Sequence, residues 1–265
     1  MASRKSSGIP WPFAPKDVAL NRDTNLLKLV AMITMLIDHT GKMFFGRYAI
    51  MRVIGRVAFP IYAYCIAVGC VYSRDRLKYL SRILLMGLIS QPFYAVALAH
   101  TTSAMYAVRF VDNPIRAVAN FYVQSWATPN IMLTLALGLL VIWSLRDRQI
   151  ICLLALALLT WKIQNSVSYG WKGVALIALF YVFIDRWWLS LPLVLAFMVK
   201  WGMSNGSRYQ FFGIKFGIQM FAVFALPLIY LPTYSKLKIN KWVYYLFYPA
   251  HLIGIMLIEF AMKLG

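Results

Sequence analysis

Apolar residues run in blocks about as long as a bilayer-crossing helix, divided by short connections that carry Lys and Arg. A helix rises about 1.5 Å per residue, so roughly 20 apolar residues cover the hydrocarbon layer. The pattern predicts an all-α, polytopic transmembrane bundle of about nine spans, with eight to ten as the range. The spans fall near 26–45, 52–72, 78–98, 130–145, 149–163, 171–187, 188–203, 214–232 and 242–262. The fifth and seventh are short, which suits a tilted or re-entrant segment. A transmembrane barrel would show short alternating segments instead. Pro60, Pro92, Pro192, Pro227 and Pro249 fall inside these spans. There a proline ring kinks the helix and leaves a carbonyl without its N–H partner. Ala99–Pro129 is the one long connection and reads as an external loop.

Composition supports this picture. The chain is 62% hydrophobic and 13% charged, against about 25% charged in soluble domains. Its net charge of +19 invites a nucleic-acid reading. Lys and Arg are spread over nearly every connection, however, which suits membrane lipids and loop anchoring and argues against nucleic acid. Residues 1–25 form a polar cytoplasmic segment, and 26–265 form a single transmembrane domain. No small-residue cleavage site follows the first apolar run, so that run reads as a signal anchor. Counting Lys and Arg gives 15 inside against 12 outside when the N-terminus is cytoplasmic, a slight preference for that orientation. Cys65, Cys70 and Cys152 lie in apolar segments and read as packing residues, with no metal or disulfide spacing.

Against this background Asp38 and His39 stand out in the first span. An Asp at mid-bilayer costs about 2.5–3.5 kcal/mol on insertion scales. Ionisable residues at that depth mark polar cavities and functional sites. Neighbours on a helix diverge by about 100°, so the two cannot share a direction. His39 is expected to face a cavity while Asp38 pairs with Arg52 or Arg56 from the start of the second span. The plainer alternative is a structural Asp38–Arg56 ion pair with His39 merely hydrogen-bonded. His251 follows Tyr248 and Pro249 in the last span and could share the cavity with His39, or could be a packed histidine bonded to a carbonyl. His100 reads as an ordinary interfacial histidine. Gln91 and Asn130 could orient a substrate or could bond across helices. Ser168-Tyr169-Gly170 reads as a turn. No nucleophile elbow, Walker loop or zincin helix is present.

Six stretches, taken in order, resemble the TraX family of conjugal-transfer proteins. They are Leu27-Lys28-Leu29-Val30-Ala31 running into Met35-Leu36-Ile37-Asp38-His39, then Gly55-Arg56-Val57-Ala58-Phe59-Pro60, then Ile89-Ser90-Gln91-Pro92. After these come Asn130-Ile131-Met132-Leu133-Thr134, Ser168-Tyr169-Gly170 with Gly173, and Leu246-Phe247-Tyr248-Pro249-Ala250-His251-Leu252. The resemblance covers nearly the whole chain after residue 25. It implies a multi-pass protein of the bacterial inner membrane that N-acetylates the amino terminus of a conjugative pilin subunit. It also implies distant kinship with the membrane acyltransferase 3 group, and acetyl-CoA as the cytoplasmic acetyl donor. The Ala99–Pro129 connection is longer than the usual family pattern, which bears on the acceptor more than on the reaction.

On that reading His39, Asp38, His251 and Arg56 form the catalytic set. His39 acts as base or acyl carrier, and Arg56 stabilises the oxyanion or holds Asp38. Gln91, Asn130, Tyr169 and Tyr248 bind substrate. Lys28, Arg74, Arg76, Arg82 and Arg146 meet the phosphates of acetyl-CoA. Lys28 lies about 16 Å from His39 along a helix, a depth that an extended pantetheine arm could bridge. The rival readings are a non-catalytic pilin chaperone, a small transporter using Asp38 and His39 as a proton relay, and an acyltransferase acting on a sugar or lipid.

Overall fold

The computed structural model describes residues 13, 17–44, 49–98, 100–204, 206 and 209–264. The chain is a helical bundle, and the helices that begin at Thr24, Arg76, Pro114 and Ile131 each start where a short polar side chain caps them. α1 (Thr24–Met43) begins at Asp23, which accepts from the Leu26 N–H. α2 (Ala49–Gly55) and α3 (Ala58–Tyr72) form one apolar length bent at Arg56 and Val57. α4 (Arg76–Ala97) is capped by Asp75. A 3-10 turn at Ser103–Tyr106 leads to α5 (Pro114–Ser125), which has Asn113 as cap and Pro114 in its first turn. Asn130 caps α6 (Ile131–Arg146), and α7 (Ile150–Ile163), α8 (Gly170–Val182) and α9 (Trp187–Ser204) follow. A hairpin of β1 (Tyr209–Phe211) and β2 (Ile214–Phe216) precedes a 3-10 stretch, Ile218–Ala225. That stretch runs into α10 (Leu226–Tyr230), and α11 (Lys241–Leu264) ends the chain.

α3 is the axis of the bundle. The α2–α3 length is 72% buried, against 39% for α4 and 28% each for α9 and α11. The last three therefore turn apolar faces outward, where lipid would meet them. Tyr64, Ile61 and Ala67 of α3 pack against Leu176, Ile177 and Phe180 of α8 and Leu139 and Ile142 of α6. Glycines allow the close approaches. Gly138 of α6 lies against Ile177, and Gly69 of α3 lies beneath the Tyr79 ring.

Several expectations need correction. Among the described residues four helical lengths are long and apolar enough to cross a membrane: Ala49–Tyr72, Arg76–Ala97, Trp187–Ser204 and Lys241–Met262. Ile131–Arg146, Ile150–Ile163, Gly170–Val182 and Ile218–Tyr230 are apolar but shorter, so nine full crossings are not what length and composition support. α1 is also outside the four, its apolar run being interrupted by Lys28, Asp38 and Lys42. The span expected over 214–232 opens as strand β2, because Phe212 and Gly213 adopt positive φ (46° and 79°) and turn the chain back. The connection after α4 is not a bare loop, since it carries the 3-10 turn and α5. Cys152 is exposed on α7, whereas Cys65 and Cys70 are buried.

Part of the segment before residue 25 packs on the helices. Most of the polar segment lies outside the described residues, but Val18, Leu20 and Asn21 are buried in the bundle. Asn21 donates to Leu228 O and accepts at its carbonyl from the Tyr64 hydroxyl, which ties this stretch to α10 and α3.

Pro92 frees a carbonyl as the sequence suggests. Pro92 lacks the N–H that would bond Leu88 O, and the Tyr122 hydroxyl of α5 donates to that carbonyl at 3.1 Å. Pro249 sits inside α11, between Tyr248 and His251.

Candidate active site

α1 turns Asp38 and His39 onto different faces, as the helical period requires. Asp38 faces α2. Its carboxylate accepts from Arg56 Nη2 at 2.7 and 2.8 Å and from Arg52 Nη1 at 2.7 Å. Arg56 Nε donates to Arg52 O at 3.2 Å, so one arginine steadies the other. The Asp38 and Arg56 side chains are each 10% exposed and Arg52 is 23% exposed, so water screens the Arg56 contact least. Gly55 makes the approach possible, because a methyl group there would overlap the Asp38 side chain.

His39 faces α11. Its Nδ1 lies 2.8 Å from His251 Nε2, with the ring planes 17° apart. His251 Nδ1 lies 2.8 Å from Phe247 O. A carbonyl can only accept, so His251 carries its proton on Nδ1. In the neutral pair His251 Nε2 is then an acceptor and His39 Nδ1 must donate to it. That leaves the lone pair on His39 Nε2. The tautomer follows from one backbone oxygen at the end of the chain of bonds. The Phe247 ring stacks on His251 at 4.9 Å between centroids, which holds the imidazole in plane with its partner.

The groups surround a cavity of about 250 Å³. Its walls are Met35, Asp38, His39 and Lys42 from α1, Arg52, Gly55 and Arg56 from the α2 bend, and Ala58, Phe59 and Tyr62 from α3. Tyr94, Leu98, Ile131, Ser168, Tyr169 and Tyr248 complete it. Tyr169 holds a left-handed backbone (φ 63°), a conformation that costs a non-glycine residue about 1–3 kcal/mol. Packing holds it there: its ring stacks on Phe59 at 4.0 Å and meets Trp201 edge-on at 5.8 Å. At the rim, Lys42 Nζ donates to His100 Nε2 at 3.2 Å, and His100 stacks on Tyr94. Partial burial and the Lys42 ammonium hold the His100 imidazole below its ordinary pKa.

Two further cavities lie toward the other end of α1. One of about 310 Å³ is lined by Lys28, Cys65, Gly69, Tyr72, Tyr79 and Arg82, among others. The next, about 120 Å³, shares Lys28, Cys65 and Tyr79 with it and adds Lys241, Tyr244 and Tyr62. Tyr62 lines both this cavity and the His39 cavity.

The sequence-predicted residues divide accordingly. Asp38, His39, Arg56, Tyr169 and Tyr248 line the His39 cavity, and His251 bonds its histidine. Gln91 and Asn130 do not line it. Gln91 is fully buried, donates to Ser125 O and Thr128 O, and accepts from Asn130 N–H. Asn130 caps α6 and donates to Gly87 O. With their amides engaged in joining helices, neither is presented to a substrate. Lys28 and Arg82 line the second cavity. Arg76 instead pairs with Asp147 at 2.6 Å, Arg146 donates to Cys70 O at 3.1 Å, and Arg74 is exposed on the turn before α4.

Sequence reasoning missed Tyr62, Tyr94, Lys42 and Lys241. Arg56, Phe59 and Tyr62 recur at intervals of three, a helical stripe that could have pointed to Tyr62. Tyr94 and Lys241 carry no such signal.

A polytopic helical protein with a charge-locked, two-histidine cavity among its apolar helices is the class that this fold and geometry define. The chain belongs to the TraX family, whose description, TraX protein, matches residues 23–259. It is 36% identical over 118 residues to a probable fimbrial assembly protein, FimC (serogroup H1), of Dichelobacter nodosus, covering 43% of each chain. It is 26% identical over 165 residues to an uncharacterised protein of Rickettsia prowazekii (strain Madrid E), covering 60% of this chain and 54% of that one. The chain thus matches about half the length of these relatives. No solved structure matches it.

Proposed function

We propose that this protein is a membrane-embedded acetyltransferase that takes part in pilus assembly by acetylating the amino terminus of a pilin subunit, with cytoplasmic acetyl-CoA as donor. The observation that carries the reading is the hydrogen-bonded relay from Phe247 O through His251 to His39. It leaves the lone pair of His39 Nε2 free at the cavity. A neutral imidazole whose far nitrogen is locked as a donor suits removal of a proton from an attacking amine. The name of the Dichelobacter relative supports a pilus-related acceptor.

The residues present fit an acyl-CoA donor. Lys28, Arg82 and Lys241 line the two cavities at the far end of α1 and would hold the phosphates. A narrow acyl arm would run from these cavities past Tyr62 toward His39. His39 would accept the amine proton as nitrogen bonds to the acetyl carbonyl carbon, then return it to the departing sulfur. His251 would hold the ring and share the charge. The Asp38–Arg56–Arg52 cluster would keep the cavity wall positively charged and in place. This differs from a catalytic Asp38, because the carboxylate points to the arginines rather than to His39.

The test is mass spectrometry of pilin from cells carrying His39→Ala in place of the wild-type protein. Unacetylated pilin amino termini are expected, and full acetylation would refute the reading. Purified wild-type protein should also transfer acetyl to a pilin N-terminal peptide, which a chaperone or a transporter would not do.

A further inference from the structure

The acetyl-transfer reading leaves open what receives the charge that builds on the carbonyl oxygen. Arg56 is poorly placed for it. Its Nη2 bonds both Asp38 oxygens and its Nε bonds Arg52 O. Another donor is available on the same wall. Tyr248 is 2% exposed and lines the His39 cavity, yet its hydroxyl donates to no protein acceptor. Buried hydroxyls almost always find a partner, and an orphaned one beside a cavity points to a ligand atom. The phenol oxygen lies against the backbone N–H of Ile131.

Ile131 is the first residue of α6, a helix of 16 residues, and it lines the cavity too. The Asn130 cap takes the Met132 N–H, and the Leu133 N–H bonds Asn130 O, so neither holds the Ile131 amide. The positive end of the α6 dipole therefore reaches the cavity where Tyr248 presents its proton. The two features come from separate helices, α6 and α11, and meet at one point.

We propose that Tyr248 and the N-terminus of α6 form the carbonyl-oxygen subsite of this enzyme, an oxyanion hole opposite His39. This rests on the acetyl-transfer reading. In the step it serves, the amine nitrogen bonds to the thioester carbonyl carbon and the carbon–sulfur bond breaks. The amine proton passes to His39 Nε2 and then to the leaving sulfur, and nothing is oxidised or reduced. The carbonyl oxygen gains negative charge as the carbon becomes tetrahedral and gives it up as sulfur departs. The Tyr248 hydroxyl donates to that oxygen throughout, with the Ile131 N–H and the positive end of α6 behind it.

The test uses the full-length protein in lipid vesicles, wild type and Tyr248→Phe, with acetyl-CoA labelled at the carbonyl carbon and a pilin N-terminal peptide as acceptor. Without acceptor, the infrared band of the bound carbonyl should fall in frequency on the wild-type protein and stay at its solution position on Y248F. With acceptor, Y248F should lose about a hundredfold or more in kcat at unchanged KM, as loss of one oxyanion donor does. The ring is kept, so an unchanged melting temperature should show that packing survives. A 3-fluorotyrosine at position 248, a stronger donor of nearly the same shape, should shift the band further. A Y248F protein within threefold of wild type in kcat, with the band shift retained, would overturn the subsite and leave acetyl transfer standing. A wild-type protein that neither binds acetyl-CoA nor transfers acetyl would overturn both.

Discussion

Replacing Asp38 with Asn tests the charge lock most directly. The substitution keeps the shape and removes the negative charge that pairs with one buried and one half-buried guanidinium group. Two opposite charges about 4 Å apart interact by about 4 kcal/mol at an effective dielectric of 20. The Arg56 contact is the better shielded, with both side chains 10% exposed, while the Arg52 contact is discounted for its 23% exposure. Breaking a buried pair by removing one partner costs about 3–5 kcal/mol, because the other charge is left unpaired at low dielectric. Asp38→Asn should therefore destabilise the protein by about that amount. Reversible unfolding in mixed micelles would measure it. Adding Arg56→Met should recover much of the loss, since the stranded charge is then gone. If Asp38→Asn costs less than about 1 kcal/mol, the level of a surface pair, the cluster is not an internal lock and the reasoning fails. The same result would follow if the double variant were no more stable than the single one.

Removing His251 should act through His39. His251→Ala is expected to lower kcat for acetylation of a pilin peptide by about a hundredfold or more, the usual worth of an aligned acid–base group, with little change in KM. Equal rates would remove the relay from the mechanism. The rim should be acid-sensitive through His100, whose pKa is held below the ordinary 6.5 by partial burial and Lys42. The unfolded chain then binds the proton first, so stability is level above about pH 6.5 and declines as the pH falls below it. His100→Gln should flatten that part of the stability–pH curve, as melting temperatures between pH 7 and pH 5 would report.

The sequence made the helical bundle plain, because apolar blocks and capping residues are local signals. Asp23, Asp75, Asn113 and Asn130 each begin a helix by bonding its first turn. The separation of Asp38 from His39 followed from helical geometry alone. The pairing of His39 with His251 could be suspected, because two imidazoles in apolar helices need partners, but only the packing of α1 beside α11 brings them to 2.8 Å. The number of crossings was less legible, since a buried short helix and a membrane span share one apolar pattern. For Gln91 and Asn130 two roles stayed open for a related reason: a polar residue in an apolar block signals a need for hydrogen bonds without saying whether backbone or ligand meets it. The hairpin at 209–216 was hidden because its turn depends on the positive φ of Phe212 and Gly213, in a stretch that otherwise reads as apolar.

Pro92 gives the bundle an unusual kind of fastening. A proline in a helix is ordinarily counted as a defect, since it leaves one carbonyl bare. Here the bare carbonyl of Leu88 is where α5 attaches, through the Tyr122 hydroxyl. The flaw in one helix is thus a socket for another. A perfect α4 would have had only that carbonyl's second lone pair to offer at that point. Repairing the helix by mutation would close the socket, so local regularity and overall assembly pull in opposite directions at this residue. Beside the Gln91 bond to Ser125 O, α5 is thus moored to a missing hydrogen.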